Sequence, residues 1–285
     1  MKNYTKIVKR FLALATPAIA TSILATLPSQ AATFASSESQ FNINNFSSSP
    51  VDVRTFTDNE TTAISTGGQV TADAKAEAEF NIYANNSASN LSFSQAQGQG
   101  DGYTGSAKSF AAIIGYDFIV DKEFSFDFSG LFNLKTSIDD AVTERANASG
   151  EFLYELYDSD TGNLLDSFKI SGNLSTIGNN DAFVFEPSSS ITLDSSQPSI
   201  DKSFGGTQEY ALTSFKGKYS RIFDKSTRLT LIESKSNQVS VYTIPEPSTI
   251  LGSLFSCTMF SAVSIRKRKR ASSAALLINK DLRSV

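Results

Sequence analysis

The chain has no histidine and no tryptophan, and only one of its 285 residues is a cysteine, Cys257. Each absence removes a class of chemistry. Without imidazole there is no Ser-His-Asp or Cys-His nucleophilic machinery and no His-ligated zinc. One thiol cannot close a disulfide within the chain, so whatever folds must hold through its own core. Cys257 itself stands in an apolar run and reads as a small apolar residue there. The missing tryptophan takes away the largest aromatic face on which sugar rings stack.

Long apolar runs are also scarce, and the two that exist stand near the ends. Lys2, Lys6, Lys9 and Arg10 precede the first, over 11–27, and Ser29-Gln30-Ala31 follows it with the small-x-small pattern of a signal peptidase site. Residues 1–31 therefore read as a secretory signal peptide with cleavage after Ala31. A first transmembrane helix is the alternative, but Pro17 interrupts the run and the cleavage pattern follows at once. N-terminal sequencing of the exported protein is expected to begin at Ala32 or within a few residues of it. Retention of Met1 and of 11–27 would refute the signal peptide.

The second run, 248–265, is 18 uncharged residues, about 27 Å as a helix and close to the hydrocarbon thickness of a bilayer. Ser248, Ser253, Ser256, Ser261 and Ser264 dilute it, which makes insertion marginal and suits a temporary anchor. Arg266, Lys267, Arg268, Lys269 and Arg270 follow without a break and would hold that end in the cytoplasm. Before the run stand Pro245, Glu246 and Pro247, whose rings stop a helix and keep the backbone of Glu246 extended, the form in which proteases take peptides. An ordinary C-terminal anchor that nothing cuts is the bland alternative.

A Pro-Glu-Pro motif, one spanning segment and a basic cluster, in that order, resemble the PEP-CTERM sorting signal of bacterial surface proteins over 244–270. The resemblance implies an exosortase-type protease as partner, passage through an inner-membrane-anchored intermediate, and release to the cell surface or the extracellular matrix. The tail 271–285 departs from the family pattern, in which the chain ends soon after the cations. The alternating stretch 70–84, the Phe124-x-Phe126-x-Phe128 strand and the segment from Tyr157 to Phe168 also resemble cyanobacterial secreted PEP-CTERM proteins of unassigned activity. That second likeness carries no site across.

The two ends dominate the charge. Of 25 basic and 29 acidic residues, four cations precede Ala32, and seven cations and one acid follow Pro247, which leaves 14 basic and 28 acidic residues in 32–247, a net charge of −14. Such a surface repels nucleic acid and most anionic polymers unless divalent cations bridge them.

Between the ends the pattern is one of strands. Residues 32–68 are rich in Ser, Thr and Asn and read as a leader with short candidate strands at 41–46 and 51–56. Over 70–84 apolar and polar residues alternate at period 2, which lines one face of a strand and scatters around a helix. Residues 95–106 read as a Gly-rich loop. Residues 113–120 and 123–128 follow, joined at Asp121-Lys122 as a hairpin, with Phe124, Phe126 and Phe128 on one face and 131–138 extending the sheet. Strands are expected at 151–157 and 164–170, then at 182–185, 190–193, 209–215, 218–223, 228–233 and 238–243. Strands this short and evenly spaced, with 22 phenylalanines to fill the space between layers, predict an all-β fold over 69–243, an antiparallel, jelly-roll-like β-sandwich.

The loop from Asp158 to Asn163 has turn residues and also places Asp158, Asp160 and Asn163 where their oxygens could meet a calcium ion. A complete EF-hand-type loop needs a carboxylate at its twelfth position, and that position here is Lys169. A plain turn is the preferred reading, with no metal, cofactor or catalytic residue assigned. Three functions remain: a non-enzymatic exported surface or matrix protein associated with exopolysaccharide, a calcium-dependent carbohydrate-binding sandwich, and a glycosidase or lyase working with two carboxylates. The first is favoured. Acidic residues are too plentiful for any pair to stand out as catalytic.

Overall fold

A computed structural model of the chain describes residues 33–82, 86–178, 180–194 and 199–244. Among these residues there is no helix. Thirteen strands follow one another: β1 (Thr33–Asn44), β2 (Asp52–Ser65), β3 (Gln69–Asn81), β4 (Ser87–Gln99), β5 (Tyr103–Val120), β6 (Glu123–Ser137), β7 (Glu144–Asp158), β8 (Leu164–Ser175), β9 (Ala182–Glu186), β10 (Ile191–Leu193), β11 (Ser199–Ser203), β12 (Gln208–Ile222) and β13 (Thr227–Thr243).

They form two antiparallel sheets. Sheet A runs β10-β12-β6-β1-β4-β3, with β11 pairing beside β10 on the same edge of β12, and sheet B runs β2-β5-β13-β7-β8-β9. The sheets lie face to face, with β4 over β5 and β13, β1 over β13 and β7, and β6 over β7 and β8. This is the two-layer arrangement that period-2 strands with one apolar face require. One end closes with the long β2 and β3, which carry free outer edges, and the other with the short β9, β10 and β11.

The predicted β3 alternation is present, with Val70, Ala72, Ala74, Ala78 and Phe80 turned to the core. Phe124, Phe126 and Phe128 are buried together on the inner face of β6. They belong to an aromatic half of the core in which Phe126 stacks on Tyr219 (centroids 4.9 Å apart, planes 9° apart) and lies 5.4 Å from Phe46 and 5.6 Å from Tyr154. The opposite half is richer in small residues, among them Ala35, Ala96, Ala107, Ala146 and Ala148, which pack with Tyr103, Val239 and Val241.

Several expectations are corrected. Residues 33–68 are no leader: β1 sits between β6 and β4 near the middle of sheet A, and β2 pairs with β5 along its whole length. The segment 95–106 is no loop, since β4 and β5 fill it apart from residues 100–102, where Gly100 and Gly102 take positive φ. Asp121-Lys122 does turn the chain, but between the sheets rather than as a hairpin, because β5 lies in sheet B and β6 in sheet A. The pairs 209–215 with 218–223, and 228–233 with 238–243, are each one continuous strand, β12 and β13. In β12 the interruption is Gly217, an inward position where an added Cβ would come within 2.4 Å of Thr192 O and 3.0 Å of the Phe128 ring, so no side chain fits.

Candidate functional site

The least expected chemistry lies inside the sandwich. Along β13 the inward side chains are Leu229, Leu231, Glu233, Lys235, Asn237, Val239 and Val241, all buried. The middle three are polar, and the facing strands answer them with Ser37 and Ser39 on β1 and Asn90, Ser92 and Ser94 on β4, while the neighbouring β5 adds Ser109. A polar layer thus separates the aromatic half of the core from the alanine half.

Burying polar groups is costly unless they find partners, and most of these do. Asn237 Oδ1 accepts from Ser37 Oγ at 2.7 Å and Ser39 Oγ at 3.1 Å, while its Nδ2 donates to Ser92 O at 2.7 Å. Ser109 Oγ lies 2.7 Å from Ser92 Oγ and 2.9 Å from Ser94 Oγ. Gly150 makes room for this, since a Cβ there would stand 2.5 Å from Asn237 Oδ1. At the aromatic border Lys235 Nζ donates to Glu233 Oε1, and Asn90 Nδ2 donates to Glu233 Oε2 and, at 3.3 Å, to Ala111 O. The ammonium sits 5.4 Å from the centroid of Phe152 and 5.8 Å from that of Phe41. Burial pulls the Lys235 amine down to about 8 against the pull of Glu233, and the same burial pushes the Glu233 carboxyl up despite Lys235 and Asn90.

A second cluster ties the sheets at the edge. Asp166 of β8 accepts from Ser190 Oγ at 2.6 Å and Tyr219 Oη at 3.0 Å, with Arg221 Nη1 at 3.6 Å. Burial acts to raise its carboxyl, yet the hydroxyls of Ser190, Ser188 and Tyr219 and the Ser167 N–H hold it below the ordinary value. Burial and the neighbouring Asp166 push the Tyr219 phenol well up. A carboxylate this fully engaged and a phenol this hard to ionise form a brace rather than an acid–base pair.

Two grooves cross the outer faces. On sheet A a groove of about 680 Å³ is built on two neighbouring rows of outward side chains, Gln40-Leu131-Ser214 and Asn42-Ser129-Lys216, with Asp194 and Ser199 at its rim. It offers amides, hydroxyls, one ammonium and one carboxylate around a floor that is mostly apolar, with Leu131 and Phe215 in its lining. On sheet B a smaller groove of about 340 Å³ runs over Ser236 and Gly150, between Phe110, Lys108, Asp58 and Glu60.

The Asp158 turn is placed as a hairpin turn between β7 and β8. Asp158 Oδ1 accepts the backbone N–H groups of Thr161 (2.9 Å) and Asp160 (3.0 Å), which lower its carboxyl, the Thr161 bond foremost. Asp160 Oδ1 meets Arg228 Nη1 at 3.0 Å, and Arg228 Nη2 reaches Asp117 at 2.9 Å. The carboxylates are turned to backbone and guanidinium, and no group of three or more His, Cys, Asp or Glu positioned to hold a metal ion occurs among the described residues. Ala31, Pro245, Glu246, Pro247 and Arg266, Lys267, Arg268, Lys269 and Arg270 lie outside the described residues, as do the segments 1–31 and 248–265. The last described residue, Ile244, donates its N–H to Thr143 O at 2.6 Å.

Sequence reasoning missed the polar layer and the sheet A groove. An Asn-x-Ser-x-Ser run in β4 and Glu-x-Lys-x-Asn in β13 are period-2 polar patterns in otherwise apolar positions, and that was the available signal for the first. Comparison with family models, with curated proteins and with solved structures finds no match to this chain.

Proposed function

We propose that the chain is an exported, non-enzymatic surface protein that associates with exopolysaccharide of the extracellular matrix. In this reading signal peptidase acts after Ala31, residues 248–265 and the cations Arg266, Lys267, Arg268, Lys269 and Arg270 hold an inner-membrane intermediate, and an exosortase-type protease acts at Pro245-Glu246-Pro247. The sandwich, jelly-roll-like in its two-layer packing, is the cargo that is released. The terminal signals support export; the sheet A groove carries the polysaccharide half of the reading. Its amides and hydroxyls match the mixed donors and acceptors of sugar hydroxyls, and its single ammonium and single carboxylate leave it without net charge on an otherwise acidic chain.

Retention of the purified exported protein on immobilised exopolysaccharide from the producing cells tests this. The unaltered protein is expected to be retarded, and the double variant Asn42→Ala/Lys216→Ala to bind about ten-fold more weakly, the loss of about 1.4 kcal/mol of contact. Because the Asp158 carboxylate is engaged by its own turn, retention is expected to survive a calcium chelator. No retardation of the unaltered protein would overturn the polysaccharide assignment, and loss of retention on chelation would favour the calcium-dependent lectin.

A further inference from the structure

We propose that Lys235 and Asn90 become joined by an isopeptide bond that the folded protein forms by itself, with Glu233 carrying the proton. The bond would link β13 of sheet B to β4 of sheet A through the middle of the core.

The geometry has what this reaction needs and little that a simple buried ion pair would want. Lys235 and Glu233 have side chains 0% and 1% exposed, and a buried pair of charges offsets its desolvation only when the remaining protons and lone pairs are also satisfied. Lys235 Nζ has three N–H groups, and its contacts are one carboxylate oxygen and the faces of Phe41 and Phe152. An amine held in apolar surroundings is more readily neutral, and a neutral amine is a nucleophile. Glu233 takes that amine on Oε1 and the amide nitrogen of Asn90 on Oε2. One carboxylate therefore touches both the nitrogen that would attack and the nitrogen that would leave, the placement a proton carrier requires. Asn90 is anchored by that leaving nitrogen alone, since its Oδ1 is buried with no hydrogen-bond partner. The shifts of Lys235 downward and Glu233 upward, both caused first by burial, point the same way.

Asn237 is the competing amide. It lies on the same face of the same strand as Lys235, but its oxygen is held by Ser37 and Ser39 and its nitrogen by the Ser92 carbonyl. Those bonds fix it within the serine layer, and the reactive amide is Asn90.

The step balances without any co-reactant. Lys235 gives one proton to Glu233, its Nζ attacks Asn90 Cγ, the Cγ–Nδ2 bond breaks, and ammonia leaves. Nζ begins with three protons and ends with one; Nδ2 begins with two and departs with three; Glu233 keeps the last. Two opposite charges in the core are replaced by a neutral amide and a neutral acid, which removes the desolvation cost of the pair.

Tryptic mapping of the full-length protein purified from cells decides the matter. Trypsin cuts after Lys75, Lys108 and Arg228, so Asn90 lies in the peptide 76–108 and Lys235 in the peptide that begins at Leu229. The expected result is one branched ion joining these two, lighter than their sum by one ammonia, with no cleavage after Lys235. Two linear peptides, with the Asn90 amide intact and cleavage after Lys235, would overturn the proposal, as would a bond from Lys235 to Asn237. Glu233→Gln keeps the size of the side chain and its contact with the amide but cannot carry the proton. Its map is expected to show the branched ion reduced at least ten-fold, and a map like that of the unaltered protein would remove Glu233 from the reaction. The unaltered protein answers the main question even if that variant does not fold.

Discussion

Truncating Phe126 to alanine is expected to lower the unfolding free energy by about 3–5 kcal/mol, the usual cost of removing a buried phenyl ring and leaving its cavity. Phe126 is 2% exposed and touches rings from both sheets, Tyr219 and Phe46 on one side of the sandwich and Tyr154 on the other. Neighbouring rings cannot all close on the void, because each is itself fixed by others; Tyr219, for example, is tied through its hydroxyl to Asp166. Against a total stability of about 5–15 kcal/mol the variant should unfold at a much lower urea concentration, or fail to accumulate. Phe56 serves as the control. It is 49% exposed on the edge strand β2, and Phe56→Ala should shift stability by no more than about 0.5 kcal/mol. Urea melts of the two variants that coincide would contradict the assignment of the aromatic half of the core.

The other large effect is on destination. If the proposed sorting operates, changing Pro245-Glu246-Pro247 to three alanines is expected to leave the protein in the inner membrane at unreduced size, because the segment 248–265 and the five cations after it stay intact while the proposed protease loses its motif. If 248–265 is only a permanent anchor, the same change alters nothing. Deleting 266–270 is the complementary test: without the cations the segment no longer stops transfer, and uncut protein should pass into the periplasm. The epitope that reports fractionation belongs at an exposed turn such as Gly205-Gly206, where an added Cβ would meet nothing within 4 Å. Insertion near Ser37 would instead break β1, where that side chain is wholly buried. A distribution of the triple-alanine variant like that of the unaltered protein would overturn the sorting reading.

How far the fold could be read depended on what faces inward. Where the inner positions are apolar, as in β3 and in the Phe124-Phe126-Phe128 stretch of β6, period 2 gave both the strand and its orientation. Where the strands cross the polar layer the same rule misled. Ser37 and Ser39 made β1 look like a solvated leader, and Glu233, Lys235 and Asn237 split β13 in two, because a buried serine or lysine cannot be told from an exposed one without its partners. The Asp121-Lys122 link shows a different limit. Two residues can join a hairpin or step from one sheet to the other, and the choice between them depends on pairings far along the chain. The sheet A groove was illegible for a related reason. Gln40, Asn42, Ser129 and Lys216 are ordinary outward polar residues, and only the register of three strands brings them side by side.

The position of β13 governs the order in which the molecule can be assembled. It is the last of the described strands, yet it lies between β5 and β7, so until it arrives sheet B exists only as two unconnected pieces, β2 with β5 and β7 with β8 and β9. Contacts this distant along the chain close slowly, since a long loop must be ordered before they reward it. Sheet B therefore cannot be completed until residues 227–243 are free to pair with both β5 and β7. Completion is then a single late event. The strand that ends the wait is also the one that brings Glu233 and Lys235 to Asn90, so the core closes and its polar centre assembles in the same step.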